Sequence, residues 1–267
     1  MSRRLCIKWL RAVVWRTFTT VATLVLAFDQ AAAQTTLPSG FVYLRDVDPT
    51  IVQDIRYAGA DNFVGRPLPG YGAGECLLRH DVAAALKRVQ ADIAVRGVGL
   101  KVYDCYRPER AVRAMMQWAS DGRAGDAGKR FFPNLHKSSL FARGYIAEIS
   151  AHSTGTAVDL TLIAIPSAPV TKFDVAAAYA PCTGPAENRS PDNSLDMGTG
   201  FDCFDVKSHT ASAAISWEQR RRRELLVAVM AKRGFSNYHR EWWHFAYANR
   251  GAAPHYNFPI SPRSAKP

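Results

Sequence analysis

The sequence lacks a hydrophobic run long enough to cross a bilayer, since its most apolar stretch, residues 18–28, falls well short of the roughly 20 residues of a spanning helix. It contains no C-x-x-C pair, which argues against a cysteine-rich zinc module. No basic stripe is interleaved with aromatic residues, so nucleic acid is not an expected partner. Strand and helix patterns do not alternate as βαβ units, which disfavours a parallel sheet.

The first 33 residues have the parts of an export signal. Five Lys and Arg residues precede the apolar stretch, and the small residues Ala31, Ala32 and Ala33 form a cleavage signal. The opening S-R-R-L-C-I-K fits a twin-arginine signal as well as a general secretory one. We therefore expect an exported, periplasmic protein with one domain over residues 34–267 and no membrane span after signal removal; a retained anchor is the alternative.

The composition of the remaining chain fits an extracytoplasmic location. The signal carries five basic residues and one acidic residue, so its removal lowers the formal net charge from +11 to +7, which suits work beside an anionic cell wall or membrane surface. Four cysteines remain and predict two disulfides. We favour Cys76 with Cys105 and Cys182 with Cys203 among three possible pairings, because each closes a comparatively short loop.

Three helices are predicted from apolar spacing and end signals. The first begins near Asp81 and ends before Gly97, and the second has Pro108 in its first turn and reaches about Ser120. The third opens with a capping box formed by Ser216 and Gln219.

Strand-like alternation occurs at residues 100–105, 157–162 and 235–247, whereas residues 35–75 read as an irregular wrap of strands and loops. Residues 164–194 contain five prolines without periodicity and read as a surface insertion pinned by a disulfide. The expected fold class is therefore α+β, with a largely antiparallel central sheet flanked by helices.

Two short motifs carry potential metal ligands. In S-A-H-S-T-G-T-A-V-D-L-T-L, residues 150–162, a small-residue turn folds His152 back towards Asp159 on a strand. A second motif, E-W-W-H, supplies Glu241 and His244. Three ligands of mixed His and carboxylate type with an unattached Glu are what a catalytic zinc site needs. On a regular strand Glu241 and His244 would face opposite sides, so a bend or bulge must bring them together.

Taken together, these motifs resemble the VanX type of D-alanyl-D-alanine dipeptidase, a family of zinc peptidases that shares the fold of the Hedgehog signalling domain and of D-Ala-D-Ala carboxypeptidases. The resemblance covers nearly all of the mature chain. It is carried by R-Y-A-G-A-D-N-F-V-G-R-P at 56–67, D-C-Y-R-P-E-R-A at 104–111, the His152 motif, L-D-M-G-T-G-F-D at 195–202, and E-W-W-H.

The resemblance implies one zinc ion per chain, held by His152, Asp159 and His244. It further implies that Glu241 is the general base and that Arg107 faces the scissile carbonyl. The alternative for Arg107 is a purely structural salt bridge to one of two nearby acids, Asp104 or Glu109.

The implied substrate is the dipeptide D-Ala-D-Ala, with Asp196 and Tyr57 near its ammonium group and Ser150 near its carboxylate. A carboxylate facing the ammonium favours a free amino terminus over a long stem peptide. The alternatives are a peptidoglycan D,D- or L,D-carboxypeptidase or endopeptidase, and a non-catalytic cell-wall binding module. The sequence leaves the oligomeric state and the physiological purpose open.

Overall fold

A five-stranded sheet forms the centre of the fold. The computed structural model describes residues 37–123, 128–248 and 253–263, so the predicted signal of residues 1–33 lies outside the described residues. The described residues belong to one compact unit, Thr35–Pro267. The sheet consists of β2 (Val52–Gln53), β4 (Val98–Asp104), β5 (Ala157–Ala164), β6 (Phe235–Asn237) and β7 (His244–Tyr247).

The strand order is β2-β4-β5-β7-β6, in which β2 and β4 are parallel and the other pairs are antiparallel. A separate antiparallel pair is formed by β1 (Phe41–Tyr43) and β3 (Leu77–Arg79). These strands, together with the helices that pack against them, confirm the predicted α+β class with its largely antiparallel sheet.

The helices lie where the sequence signals place them. After the short α1 (Leu44–Val47), α2 (His80–Ala94) begins one residue before its predicted start and packs against β4 and α4. Pro108 is the N-cap of α3 (Glu109–Ser120). Ser216 caps α4 (Trp217–Ala231), and the reciprocal bonds between Ser216 and Gln219 confirm the predicted capping box.

The register of the sheet aligns three polar residues across its centre. β5 is buried from Ala157 to Ile163, as expected for a strand with neighbours on both edges and packed layers on both faces. Asp104 at the end of β4 pairs with Asp159 of β5, and Asp159 pairs with His244 at the start of β7. Because the backbone of three paired strands is rigid, these side chains are held close together.

The proline-rich insertion leaves the sheet and returns to it at nearly the same point. It follows β5, contains a short 3-10 helix at Ala186–Asn188, and ends where Ser194 forms a bridge with Ile163. Asp192 attaches this end of the insertion to the sheet, because its carboxylate accepts hydrogen bonds from Lys101, Arg56 and Tyr103.

Both disulfides of the favoured pairing are present. Cys76 is bonded to Cys105, with the Cα atoms 5.2 Å apart, and Cys182 is bonded to Cys203, with the Cα atoms 5.5 Å apart. The second bridge fixes the insertion to the body of the domain. Among the described residues, no helix is both long and apolar enough to span a membrane.

Candidate active site

His152 is held in a tight turn at the entrance to β5. It lies in a 3-10 helix, Ala151–Thr154, whose first turn is capped by Ser150, since the Ser150 hydroxyl accepts a hydrogen bond from the His152 amide at 3.3 Å. Gly155 ends this helix with φ 73°, in the left-handed region that favours glycine. A Cβ atom there would lie 2.3 Å from the Phe41 ring, so the predicted turn also requires glycine for space.

Three ligand atoms converge at this point. The Nε2 atom of His152 lies 3.1 Å from Nδ1 of His244 and 3.3 Å from Oδ1 of Asp159, and the last two atoms are 2.9 Å apart. Tetrahedral zinc with bonds of about 2.0–2.1 Å has its ligand atoms roughly 3.3 Å from one another. The donor set and its spacing therefore fit a metal ion of about this size.

A hydrogen bond fixes the orientation of the His152 ring. Its Nδ1–H donates to the backbone carbonyl of Cys105 at 2.7 Å, which leaves Nε2 with a free lone pair directed at Asp159 and His244. Metal-ligating histidines usually have such a partner on the second nitrogen. Although burial opposes ionisation, His152 and His244 lower the pKa of the Asp159 carboxyl below its ordinary value, so this ligand is anionic.

Glu241 and His244 reach the cleft through a turn between β6 and β7. The amide of Glu241 donates to Tyr238 O at 2.9 Å, and the amide of His244 donates to Glu241 O at 3.3 Å. The predicted continuous strand over residues 235–247 is thus interrupted at 238–243. Because residues in a turn do not alternate between two faces, Glu241 and His244 can both point into the cleft. Trp242 and Trp243 are buried and anchor this turn in the core.

Glu241 has the electrostatic environment of a proton acceptor. It lines the cleft beside the three ligands. Burial, reinforced by the negative charge of Asp159, raises the pKa of Glu241 to about 8. A carboxyl group with a pKa near neutrality can accept and return a proton during turnover.

Arg107 lies between a buried acid and the metal ligands. Its Nε donates to Asp104 at 2.8 Å, and its terminal nitrogen lies 3.5 Å from Oδ2 of Asp159. Burial opposes the charge, but Asp104 and its neighbours hold the pKa of Arg107 well above its ordinary value. The structural ion pair with Asp104 therefore exists, while the guanidinium also lines the cleft; Glu109 pairs with Arg113 instead.

Asp196, predicted to lie near the ammonium group of the substrate, is placed by the structure outside the cleft. This carboxylate accepts hydrogen bonds from Arg189 at 2.6 Å, from Gln219 at 2.7 Å and from the Gly198 amide at 2.9 Å. These three bonds tie Asp196 to the insertion and to the start of α4, and it is not among the residues that line the cleft.

Of the two acids in the eight-residue motif at 195–202, the one that lines the cleft is Asp202, six residues further along. The Tyr57 hydroxyl donates to its Oδ2 at 2.7 Å. Burial raises the pKa of Asp202 well above its ordinary value, so its ionised form requires a cationic partner in the cleft. Its backbone has φ 55°, an unusual conformation for a residue other than glycine that the surroundings must stabilise.

The cleft that these residues surround has a volume of about 230 Å³. Tyr57 and Ser150, two of the predicted substrate-binding residues, both line it. Its remaining wall comes largely from the segment before Ser150, with small and apolar side chains. The arrangement suits a small ligand with a charged amino group at one end.

Asp104 is a site residue that the sequence motifs did not single out as functional. It is fully buried and accepts hydrogen bonds from Arg107 and from the Tyr71 hydroxyl at 2.6 Å. Its Oδ2 also lies 3.5 Å from Nδ1 of His152. The available signal is the position of an acid at the end of a buried strand, as the first residue of D-C-Y-R-P.

Comparisons with known proteins identify the family of this chain. Residues 38–170 and 187–261 match the family described as D-Ala-D-Ala dipeptidase, and the unmatched residues 171–186 lie inside the insertion. The chain is similar to a D-alanyl-D-alanine dipeptidase of Enterococcus faecium, with 32% identity over 83% of this chain and 98% of that protein. It is also similar to the Streptomyces coelicolor protein of that name, with 32% identity over 83% of this chain and 98% of that protein.

The Escherichia coli protein of the same name is 28% identical, over 80% of this chain and 87% of its own length. The match to the family extends over most of the described structure, including every residue of the metal cluster and its cleft. The chain therefore belongs to the D-Ala-D-Ala dipeptidase family of metal-dependent peptidases.

Proposed function

We propose that this chain is an exported, zinc-dependent dipeptidase that hydrolyses D-Ala-D-Ala. The observation that carries the proposal is the convergence of three ligand atoms, a carboxyl with a raised pKa and a guanidinium on one small cleft. The names of the relatives specify the same substrate.

The metal would be held by His152, Asp159 and His244. Zinc bound by such a set lowers the pKa of a coordinated water towards about 7 and polarises a carbonyl group. The donation from His152 to Cys105 O keeps the correct ring nitrogen available.

Glu241 and Arg107 divide the chemical work. Glu241 accepts the proton of the attacking water on its carboxylate and then returns it to the amine of the departing D-alanine. Arg107 directs its remaining N–H groups to the oxygen that becomes negative when the carbonyl carbon turns tetrahedral. Asp104 holds the guanidinium in place and balances its charge.

The substrate is oriented by charged and polar groups that line the cleft. Asp202, supported by Tyr57, receives the ammonium group, which supplies the cationic partner that the buried carboxylate needs. Ser150 lies beside the metal ligands, where its hydroxyl can donate to the substrate carboxylate. The cleft therefore selects a short, doubly charged ligand.

A peptidoglycan carboxypeptidase or endopeptidase is the alternative within the same chemistry. Such an enzyme would place an uncharged amide of a stem peptide where the free dipeptide has its ammonium group. The buried Asp202 disfavours this alternative, because an amide does not neutralise a carboxylate. A binding module without activity would not need Glu241 beside the metal ligands.

Export to the periplasm is part of the proposal and rests on separate observations. The amino-terminal signal pattern, the positive charge of the remaining chain and the two disulfides all suit an oxidising compartment outside the cytoplasm.

Purified mature protein should be assayed on D-Ala-D-Ala, on N-acetyl-D-Ala-D-Ala and on a pentapeptide stem. We expect cleavage of the free dipeptide that is lost with a chelator and restored by zinc, and at least a hundredfold lower kcat/KM for the blocked dipeptide. Equal cleavage of the free and blocked dipeptides would favour the carboxypeptidase alternative. Activity that survives complete removal of the metal would contradict the zinc mechanism.

A further inference from the structure

Both disulfides end beside residues of the cleft. Cys105 supplies the carbonyl that accepts the His152 Nδ1–H, and it stands two residues before Arg107. Cys203 directly follows Asp202. The two bridges therefore end next to different parts of the site. One ends beside the metal ligand His152, and the other beside Asp202, the carboxylate proposed to receive the ammonium group.

The Cys76–Cys105 bridge supports a segment that has left the sheet. β4 ends at Asp104, and beyond it the amide of Tyr106 donates to Leu77 O at 2.9 Å. The bridge joins this segment to Cys76, which is itself held by the donation of its amide to Gln53 at 2.9 Å. Movement of Cys105 would displace the acceptor that determines which way the His152 ring points.

The Cys182–Cys203 bridge supports a turn with an unfavourable backbone conformation. Asp202 has φ 55°, and the bridge attaches the next residue to the insertion. Cys182 is fixed in turn, because its amide donates to Arg130 O at 2.7 Å and its carbonyl accepts from Gly200 at 2.9 Å. Cys182 lies within residues 171–186, which the family match omits, so this support comes from the insertion.

We propose that the disulfides are positioning elements for different halves of the site, Cys76–Cys105 for the metal ligand His152 and Cys182–Cys203 for Asp202. The second half of this inference rests on the proposed dipeptidase function, whereas the first half concerns metal binding alone. Opening each bridge should then damage a different measurable property. In an oxidising compartment the disulfides keep both His152 and Asp202 in position. In a reducing compartment the bridges open, and both residues gain freedom to move.

The two double variants serve as matched controls for each other. Cys76→Ala with Cys105→Ala should weaken zinc binding by about tenfold, the lower end of the range for loss of an outer-shell partner. Cys182→Ala with Cys203→Ala should leave the zinc dissociation constant within about twofold of wild type. It should raise KM for D-Ala-D-Ala by about tenfold, within the hundredfold that a misplacement of 1 Å can cost.

Zinc affinity is measured by competition with a chromophoric chelator, and substrate affinity by steady-state kinetics and by calorimetry. If both variants change both properties equally, or change thermal stability alone, the positioning roles are wrong. Where a variant loses its fold by circular dichroism, folded wild type reduced in stages, with free thiols counted by mass spectrometry, provides the same comparison.

Failure of the proposed function would be distinguishable. A wild-type protein that neither cleaves nor binds D-Ala-D-Ala defeats the dipeptidase proposal and with it the role assigned to the second bridge. The zinc measurement on the Cys76 and Cys105 variant would still decide the role of the first bridge.

Discussion

His152 allows the most direct test of the metal centre at the scale of single residues. Its Nε2 is one of three atoms lying 2.9–3.3 Å apart, so His152→Ala should remove zinc and activity together. Metal content by atomic absorption and turnover of D-Ala-D-Ala should be measured on the same preparation. His136→Ala, at an exposed position away from the cleft, is the control and should keep both; full zinc occupancy in the His152 variant would contradict the ligand assignment.

Glu241 should separate chemistry from metal binding. It lines the cleft without belonging to the ligand cluster, so Glu241→Ala should keep its zinc. Turnover should fall by about a hundred- to ten-thousand-fold, the range for removal of a general acid or base. Stopped assays at several substrate concentrations measure kcat, and a value within threefold of wild type would remove Glu241 from the mechanism.

Asp202 should control the preference for a free amino terminus. Breaking one side of a buried ion pair costs about 3–5 kcal/mol, and each 1.4 kcal/mol is a factor of ten, so Asp202→Asn should lower kcat/KM for D-Ala-D-Ala by about a hundredfold or more. Cleavage of N-acetyl-D-Ala-D-Ala should change far less. Asp196→Asn, outside the cleft, is the matched control and should preserve the ratio between the substrates; the opposite pattern would restore Asp196 to the site.

At the scale of structural elements, the end of the insertion should show a pH-dependent contribution to stability. Burial opposes ionisation of Asp192, but Arg56 and Lys101 lower the pKa of its carboxyl below its ordinary value. A lowered folded-state pKa means that this stabilisation is present above the unfolded pKa of about 3.9 and is lost as the pH falls through the folded-state value.

Asp192→Asn should therefore lower the free energy of unfolding at pH 7 by at most about 3 kcal/mol, because the buried Lys101 loses its closest carboxylate while Arg56 keeps Asp54 and Asp61. The difference from wild type should shrink as the pH falls below about 4. This difference is measured by urea denaturation at several pH values, with a chelator present to keep both proteins free of metal. Glu187→Gln, an exposed position in the insertion, controls for the change in charge, and a pH-independent difference would contradict the ion-pair explanation.

The elements also show where inference from the sequence ends. The spacing of His152 and Asp159 was informative because a glycine turn followed by a buried strand has few possible geometries. The sequence predicts strand at residues 238–243, where the structure has a turn, because aromatic residues are common in strands. The role of the two tryptophans as anchors of a turn depends on distant packing partners.

The choice between Asp196 and Asp202 depends on contacts that the sequence does not show. Asp196 and Asp202 stand in the same eight-residue motif, and which one faces the cleft depends on the Tyr57 hydroxyl, far away in sequence. A local signal did exist, since an acid two residues before a glycine commonly accepts a bond from that glycine's amide, as Asp196 does from Gly198. The carboxylate of such an acid already accepts a hydrogen bond from its own turn, which favours a structural role over substrate binding.

At the scale of the whole molecule, the exported protein should contain two disulfides and no free thiol. The pairs are Cys76–Cys105 and Cys182–Cys203, and removal of the predicted signal takes away Cys6. Peptide mapping by mass spectrometry without reduction should recover both linked pairs from protein secreted by a bacterial host. Four free thiols in the isolated protein would contradict export to an oxidising compartment.

The return of the insertion to its starting point affects how readily this family can change. Ser194 forms a bridge with Ile163 at the end of β5, so the two ends of the excursion are already neighbours. Closing a flexible loop becomes costlier by only about 0.6 kcal/mol for each doubling of its length. Lineages could therefore lengthen or shorten this segment in small genetic steps while the metal centre stays intact, and a cysteine acquired there would convert a neutral surface loop into a part of the enzyme under selection.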